Sequence, residues 1–280
     1  MNGAAQLFDT HVHLDCSPLV ERLDEELALA CAAKVGGFVV PGVAPADWPR
    51  LLETVDRAPE AWAAPGIHPL AADRWNETTA KDLAALLEHP KVVALGEIGL
   101  DTLLDEPPPS IQENALRGQL RLAREAGLPV LIHCRGAHGR LLEILREERA
   151  GERGGILHAF SGSLETARQA IDLGFAIGFG GTLTYPNARR APEVLKALPA
   201  EWIVLETDAP DLASHPHRGQ DNRPAWLALI AAEVARIRNW SLEETARITT
   251  ENACRVLKLA GTRAARPETN DKGQITKDSL

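Results

Sequence analysis

The chain has 280 residues, 45% of them hydrophobic and 25% charged, enough apolar material for a sizeable core and too much for an intrinsically disordered chain. Thirty-nine acidic residues against 30 basic ones leave a formal net charge of −9, which excludes a broad basic face for duplex DNA but leaves room for a locally positive cleft. No run approaches the roughly 18 apolar residues of a membrane span, no basic region precedes a hydrophobic one at the N-terminus, and Cys16, Cys31, Cys134 and Cys254 form no Cys-x-x-Cys pair, so a cytoplasmic, reducing location is expected.

Short apolar runs rich in β-branched residues recur every 25 to 35 residues, with amphipathic segments between them. In chain order they cover residues 7–12, 37–43, 61–67, 91–98, 128–133, 155–160, 175–179 and 202–208, the third being the weakest. This is the pattern of βα units around a parallel sheet. Residues 103–109, acidic and ending in a proline triplet, are expected to form an exposed loop after the fourth strand. Ser110 with Glu113, and Ser241 with Glu244, match the capping box that starts a helix. Gly127 and Gly174 stand where a helix ends before a strand. The reading is a single TIM-type (β/α)8 barrel over residues 1–260, followed by a solvated polar tail at 261–280. An open doubly wound sheet is the alternative topology.

The sharpest chemical signal is Asp9-Thr-His11-Val-His13. Two residues apart on a strand, His11 and His13 face one side and can offer two imidazole nitrogens to one cation. Glu97 in ALGEIGLD, His133 in PVLIHCR, His158 in GILHAF and Asp208 in VLETD stand at the C-terminal ends of later runs, which a barrel brings to one mouth. Six nitrogen and oxygen ligands without sulfur suit a pair of divalent ions, and a carboxylate can bridge them where a neutral imidazole cannot. His11, His13, Glu97 and Asp208 would hold one ion, and Glu97, His133 and His158 the other. A bound divalent ion lowers the pKa of its water from about 15.7 to about 7, giving a hydroxide nucleophile near neutral pH. Asp208 is the candidate to orient that water and take its proton, with Glu97 as the other catalytic carboxylate. Glu206, on the same face two residues earlier, is the candidate to orient a ligand histidine from behind.

Other signals have plainer readings beside them. His68 in GIHP either contacts a substrate phosphate or packs against the rim, and Arg135, Arg218 and Arg223 are candidates for phosphate binding among arginines that are ordinarily just surface groups. The segment 178–181, Gly-Phe-Gly-Gly, matches no phosphate loop and reads as close backbone packing. The acidic residues from Glu21 to Glu26 read as the wet face of a helix.

Taken together, FDTHVHLD, GIHP, ALGEIGLD, Gln112 followed by QLRLAREAGLPVLIHCRGA, LHAFSGS, IGFGGTLT, VLETDAPDL and ENACRVLKL resemble the TatD family of metal-dependent deoxyribonucleases, within the amidohydrolase superfamily, over residues 7–259. The resemblance implies a TIM barrel, two divalent metals (zinc, manganese or magnesium) at the positions named, and 3′–5′ exonuclease-type hydrolysis of DNA phosphodiesters. It also implies an oligonucleotide bound locally at the mouth; a monomer without membrane attachment is the working expectation. Many members read Arg-Gly-x-x-Asn-Glu-Pro where this chain has Arg218-Gly-Gln-Asp-Asn222-Arg223-Pro224. An aromatic residue usual after Gln112 is missing, Leu116 standing nearby, and Gly136 replaces a frequent acidic residue. A superfamily hydrolase of a small amide, lactone or phosphoester is the alternative, though many such relatives carry lysine where this chain has Glu97. A binding protein that kept the metal ligands and lost turnover is the non-enzymatic competitor.

Overall fold

The computed structural model describes residues 6–259, so the tail expected at 261–280 lies outside the described residues. Eight strands alternate with helices: β1 (Leu7–Asp9), β2 (Val35–Pro41), β3 (Ala61–Ala64), β4 (Leu95–Asp101), β5 (Val130–Arg135), β6 (Gly155–Leu157), β7 (Phe175–Phe179) and β8 (Ile203–Leu205). The helices are α1 (Leu23–Ala32), α2 (Trp48–Arg57), α3 (Glu77–Leu86), α4 (Pro109–Ala126), α5 (His138–Glu147), α6 (Leu164–Asp172), α7 (Arg190–Ala197), α8 (Leu227–Arg238) and α9 (Leu242–Val256). The strands pair in parallel in the order β3-β2-β1-β8-β7-β6-β5-β4. The two ends of that sheet meet just before β4, where the Ala63 amide donates to the Lys91 carbonyl at 2.8 Å and the Val93 and Gly96 amides donate to Ala63 and Pro65 at 3.0 and 3.1 Å. The sheet is therefore a closed (β/α)8 barrel, and the open alternative does not hold. Among the described residues no helix is long and apolar enough to cross a membrane.

One small apolar cluster fills the barrel. Phe8, Val39, Ala64, Leu131, Ile156, Ala176 and Val204 come from seven strands, Ala94 comes from the segment leading into β4, and Ala253, Val256 and Leu257 close the cluster from the α9 end. Phe8 stacks on Trp62 with ring centroids 5.7 Å apart, so aromatic bulk fills the end opposite the strand termini. The larger cluster lies between the sheet and its helices. Residues alternate between these two clusters along the regular ladders, as in Ala61–Ala64, Val130–Ile132 and Ile203–Leu205, as the period of two requires.

Local signals explain most element ends. Gly127 caps α4 and Gly174 precedes β7 with left-handed φ of 74° and 81°. The Ser241 hydroxyl accepts the Glu244 amide at 3.0 Å to start α9. The box expected at Ser110 and Glu113 is not formed: α4 starts at Pro109, whose ring pre-sets φ, and no side chain caps Pro108. Glu113 instead accepts two bonds from Arg140 of α5, at 2.9 and 2.7 Å. Several apolar runs also outlast their ladders: β1, β6 and β8 stop at Asp9, Leu157 and Leu205, and the remaining residues of each run leave the sheet for the mouth.

Glu148, after α5, joins it to α4 by accepting from Arg117 at 2.8 Å and from Arg121 at 2.8 and 2.7 Å. The Arg121 hydrogen bonds, reinforced by Arg117 and opposed by burial, hold its carboxyl below the ordinary glutamate value. Stability from this group is complete above the unfolded value and fades as pH falls through the lower folded one. Glu148→Gln should lose stability at neutral pH and flatten the drop in melting temperature between pH 6 and about 3, measured by circular dichroism.

Candidate metal centre at the barrel mouth

The chain past β1 crosses the chain past β8. The Asp208 amide donates to the His11 carbonyl at 2.9 Å and the His13 amide to the Ala209 carbonyl at 2.8 Å. Below this crossing Asp9 is fully buried and accepts from the Thr207 hydroxyl at 2.6 Å, the Thr207 amide at 2.9 Å and the His11 amide at 3.2 Å. Burial, the largest influence, pushes its carboxyl up to about 8 despite those donors. Asn222 is also buried, and its amide nitrogen donates to the Thr207 and Asp211 carbonyls at 2.8 and 2.7 Å, tying down the loop after Asp208.

Strand alternation does not by itself aim the first two histidines. Phe8 faces the barrel interior, so an unbroken strand would turn residues 11 and 13 away from it. The ladder ends at Asp9, and the irregular backbone beyond it carries both imidazoles into the mouth. Glu97 needs a similar departure. Between Leu95 and Ile98 β4 holds one residue more than β5 does between Val130 and Ile132, and this bulge turns Glu97 inward. His133 and His158 instead keep the inward parity of Leu131 and Ile156, while Asp208 lies on irregular backbone beyond the end of β8. Asp208 and Ala159 both take left-handed φ, 59° and 42°. Asp tolerates this region and alanine much less, and the Ala159 amide is held by the Glu206 carboxylate.

Glu97, 3% exposed, sits at the centre. One oxygen lies 3.2 Å from His11 Nε2; the other lies 2.8 Å from His133 Nδ1, 3.8 Å from His68 Nε2 and 3.9 Å from His158 Nε2. Asp208 Oδ1 lies 3.7, 3.6 and 3.6 Å from the Nε2 atoms of His11, His13 and His158. The rings of His11 and His158 stack at 3.5 Å. Three interlocking groups offer ligand atoms within 4.8 Å of one another: His11, His158 and Asp208; His11, His13 and Glu97; and His68, Glu97 and His133. A fourth, His13 with Asp15 and Cys16, adjoins them.

All six expected ligands thus meet, but their grouping differs from the expected one. His158 goes with His11 and Asp208, while His133 goes with His68, which lies inside the cluster rather than out on the rim. Glu206 Oε1 lies 3.1 Å from His158 Nδ1, behind the ring, and Gly178 makes room for that carboxylate, since a Cβ there would be 2.4 Å from Glu206 Oε2. Asp101, given no role from sequence, is buried and reaches His133 Nε2 at 3.1 Å and the Arg135 guanidinium at 3.3 Å. Its signal was its place at the end of the β4 motif.

The arginines divide. Arg135 stays at the rim beside Asp101, and Arg218 lies over the Tyr185 ring at 4.7 Å. Arg223, expected to meet phosphate, turns to α1 instead: its Nε lies 3.1 and 2.9 Å from the Glu26 oxygens, and its Nη2 2.8 Å from Glu26 and 3.1 Å from Glu25. Glu21, Asp24 and Glu25 are exposed, as the reading of that acidic stretch as a wet face expects, but Glu26 is wholly buried and departs from it; a buried carboxylate requires such a partner.

Burial raises the carboxyl pKa of Glu97, but His11, His68 and His158 outweigh it and hold the group well below its ordinary value. Asp208 is lowered in the same way by His158, His13 and His11 against burial. His158 is depressed by burial, yet Glu206, Asp208 and Glu97 carry it up to about 10. His68, for which burial dominates, falls to about 4. The spot therefore calls for positive charge, which a proton on His158 or a cation can supply. Both ring nitrogens of His11 and Nδ1 of His13 are buried without hydrogen-bond partners. Orphaned imidazole nitrogens facing ionised carboxylates, with no thiolate in the central groups, are a donor set that fits a divalent cation.

The TatD related DNase family model matches residues 8–258. A metal-dependent hydrolase of uncharacterised role from Bacillus subtilis, YabD, is 40% identical over 90% of this chain and 99% of its own length. The protein named 3′-5′ ssDNA/RNA exonuclease TatD from Edwardsiella piscicida is 34% identical over 91% of this chain and all of its own. The crystal structure of YjjV, a TatD homologue from Escherichia coli, superposes with a TM-score of 0.86 at 35% identity, covering 91% of this chain and 98% of that one.

Removing the hydroxyl that grips Asp9, by Thr207→Val, should destabilise the protein by about 1–3 kcal/mol, because a buried acceptor loses its shortest donor. Urea unfolding monitored by tryptophan fluorescence measures this.

Proposed function

The chain belongs to the TatD related DNase family, a family of metal-dependent hydrolases, and from that premise we propose that it trims single-stranded DNA from the 3′ end by hydrolysing phosphodiester bonds at two divalent metals. The observation that carries this reading is Glu97, whose two oxygens face different imidazole groups, the arrangement in which one carboxylate serves two cations. Relatives named as 3′-5′ exonucleases support the polarity at 34% and 35% identity.

His11, His13, Glu97, His158 and Asp208 would hold one metal, and Glu97 with His68 and His133 the other. When bound, such a pair supplies Lewis-acid stabilisation of phosphoryl charge and an acidified water. The protein's own groups do the rest. Asp208, ionised and facing the mouth, orients the attacking water and accepts its proton. Glu206 and Asp101 stand behind His158 and His133 and set the direction of each ring. Arg135 and Arg218 lie at the rim where the next phosphates would pass.

Purified protein with manganese or magnesium should release mononucleotides from a 3′-tailed oligonucleotide, and chelation should abolish release until metal is restored. Turnover unchanged by chelator, or turnover of lactones and dipeptides but not oligonucleotides in parallel assays, overturns the reading. Asp208→Asn should lower kcat by about 10²–10⁴-fold. His11→Ala, which removes a donor from two of the central groups, should reduce bound metal as measured by elemental analysis.

A further inference from the structure

Beside the metal centre, between the loops that follow β3 and β4, lies a groove of about 610 Å³. That volume is within the range of sites that take small organic groups. Its walls are largely apolar, with Leu70 and Trp75 on one side and Pro108 and Ile111 on the other. Leu70 is 50% and Ile111 40% exposed, and Leu103, on the loop after β4, is 66% exposed. Large apolar side chains left in water on adjoining loops mark a binding surface more than an accident of folding.

Both walls are fastened to the centre. His68, whose Nε2 lies 3.8 Å from Glu97, accepts the Leu70 amide on Nδ1 at 3.1 Å. Across the groove, the Gln112 side chain accepts the Asp101 amide at 2.8 Å and donates to the Asp101 and Pro107 carbonyls at 3.0 and 2.8 Å, while Asp101 itself reaches His133. Trp75 is seated on α4 at Gly118, where a Cβ would come within 2.4 Å of its ring. The groove is therefore held at a set position relative to Glu97.

We propose that this groove seats a nucleobase flanking the phosphate under attack, an inference that rests on the nuclease reading above. The charged groups decide between base and backbone. Asp73 and Glu106 line the groove, and the one cation there, Arg74, has its Nε 3.5 Å from Asp73. These two carboxylates, of which only Asp73 faces the guanidinium, repel a phosphate but accept N–H groups from a base edge, while the apolar walls take its faces. Phosphates are better served elsewhere on the rim, by Arg135 and Arg218.

The test compares oligonucleotides with intact or abasic residues at the last two 3′ positions, using wild type and a Leu70→Ala, Ile111→Ala double variant with manganese present. Both residues are exposed, so an unchanged melting temperature checks that the fold survives. For wild type, removing the bases should raise KM about tenfold, the scale of losing one stacked base. The double variant should show a similar rise on the intact strand and no further rise on the abasic one, with the loss in KM exceeding that in kcat. Trimming by wild type that ignores the missing bases, or a double variant that still discriminates between the two strands, overturns the groove while leaving the nuclease reading standing. If wild type trims no oligonucleotide at all, the nuclease reading fails and the groove proposal with it.

Discussion

A carboxylate kept ionised out of water, among imidazoles, is the constraint on which this molecule's mouth depends. Glu97 is nearly inaccessible, yet four histidines come within 4 Å of it. An isolated buried charge would shed its ionisation, so the surroundings must supply opposite charge at close range. The barrel does this by bringing together residues up to 198 positions apart, and it arranges the supports in layers: Asp208 beside Glu97, Glu206 and Asp101 behind the histidines, and Asp9 with Thr207 below.

Regular sheet geometry delivers only part of that arrangement. His133 and His158 follow the inward parity of their strands, whereas His11, His13, Glu97 and Asp208 depend on a ladder that has ended or on a bulge. Such irregularities re-aim side chains without disturbing the interior packing, which is formed nearer the α9 end by a separate apolar set. The division between a packed base and an irregular, polar mouth is what allows a stable barrel to carry residues in unfavourable surroundings. Left-handed backbone at Asp208 and Ala159 belongs to the same mouth.

The rim is chemically two-sided. Arg218 over Tyr185, with His217 stacked on Trp226 at 4.0 Å, occupies the loops after β7 and β8. Apolar and acidic groups occupy the loops after β3 and β4. Arg223, despite its place in the first of these, serves the fold by neutralising buried Glu26 and tying the last loop to α1. A guanidinium near a mouth is thus no guide to substrate until its partners are known.

The chain's own order of residues determined the (β/α)8 class, because eight β-branched runs separated by helical segments leave few other ways to bury them, and it determined the set of six chemical residues, because each stands at the end of such a run. It also carried the motifs by which the chain resembles the family whose model matches residues 8–258. Only the tertiary structure decided closure, through the hydrogen bonds joining the β3 end to the segment before β4, since closure is a pairing between strands and leaves no local trace. It likewise decided which histidines group together, that His68 joins them, and that Arg223 does not face the mouth. The physical reason is the same in each case: alternation and capping are properties of neighbours along the chain, whereas a bulge on β4 or an ion pair between α1 and the last loop depends on residues far apart in sequence.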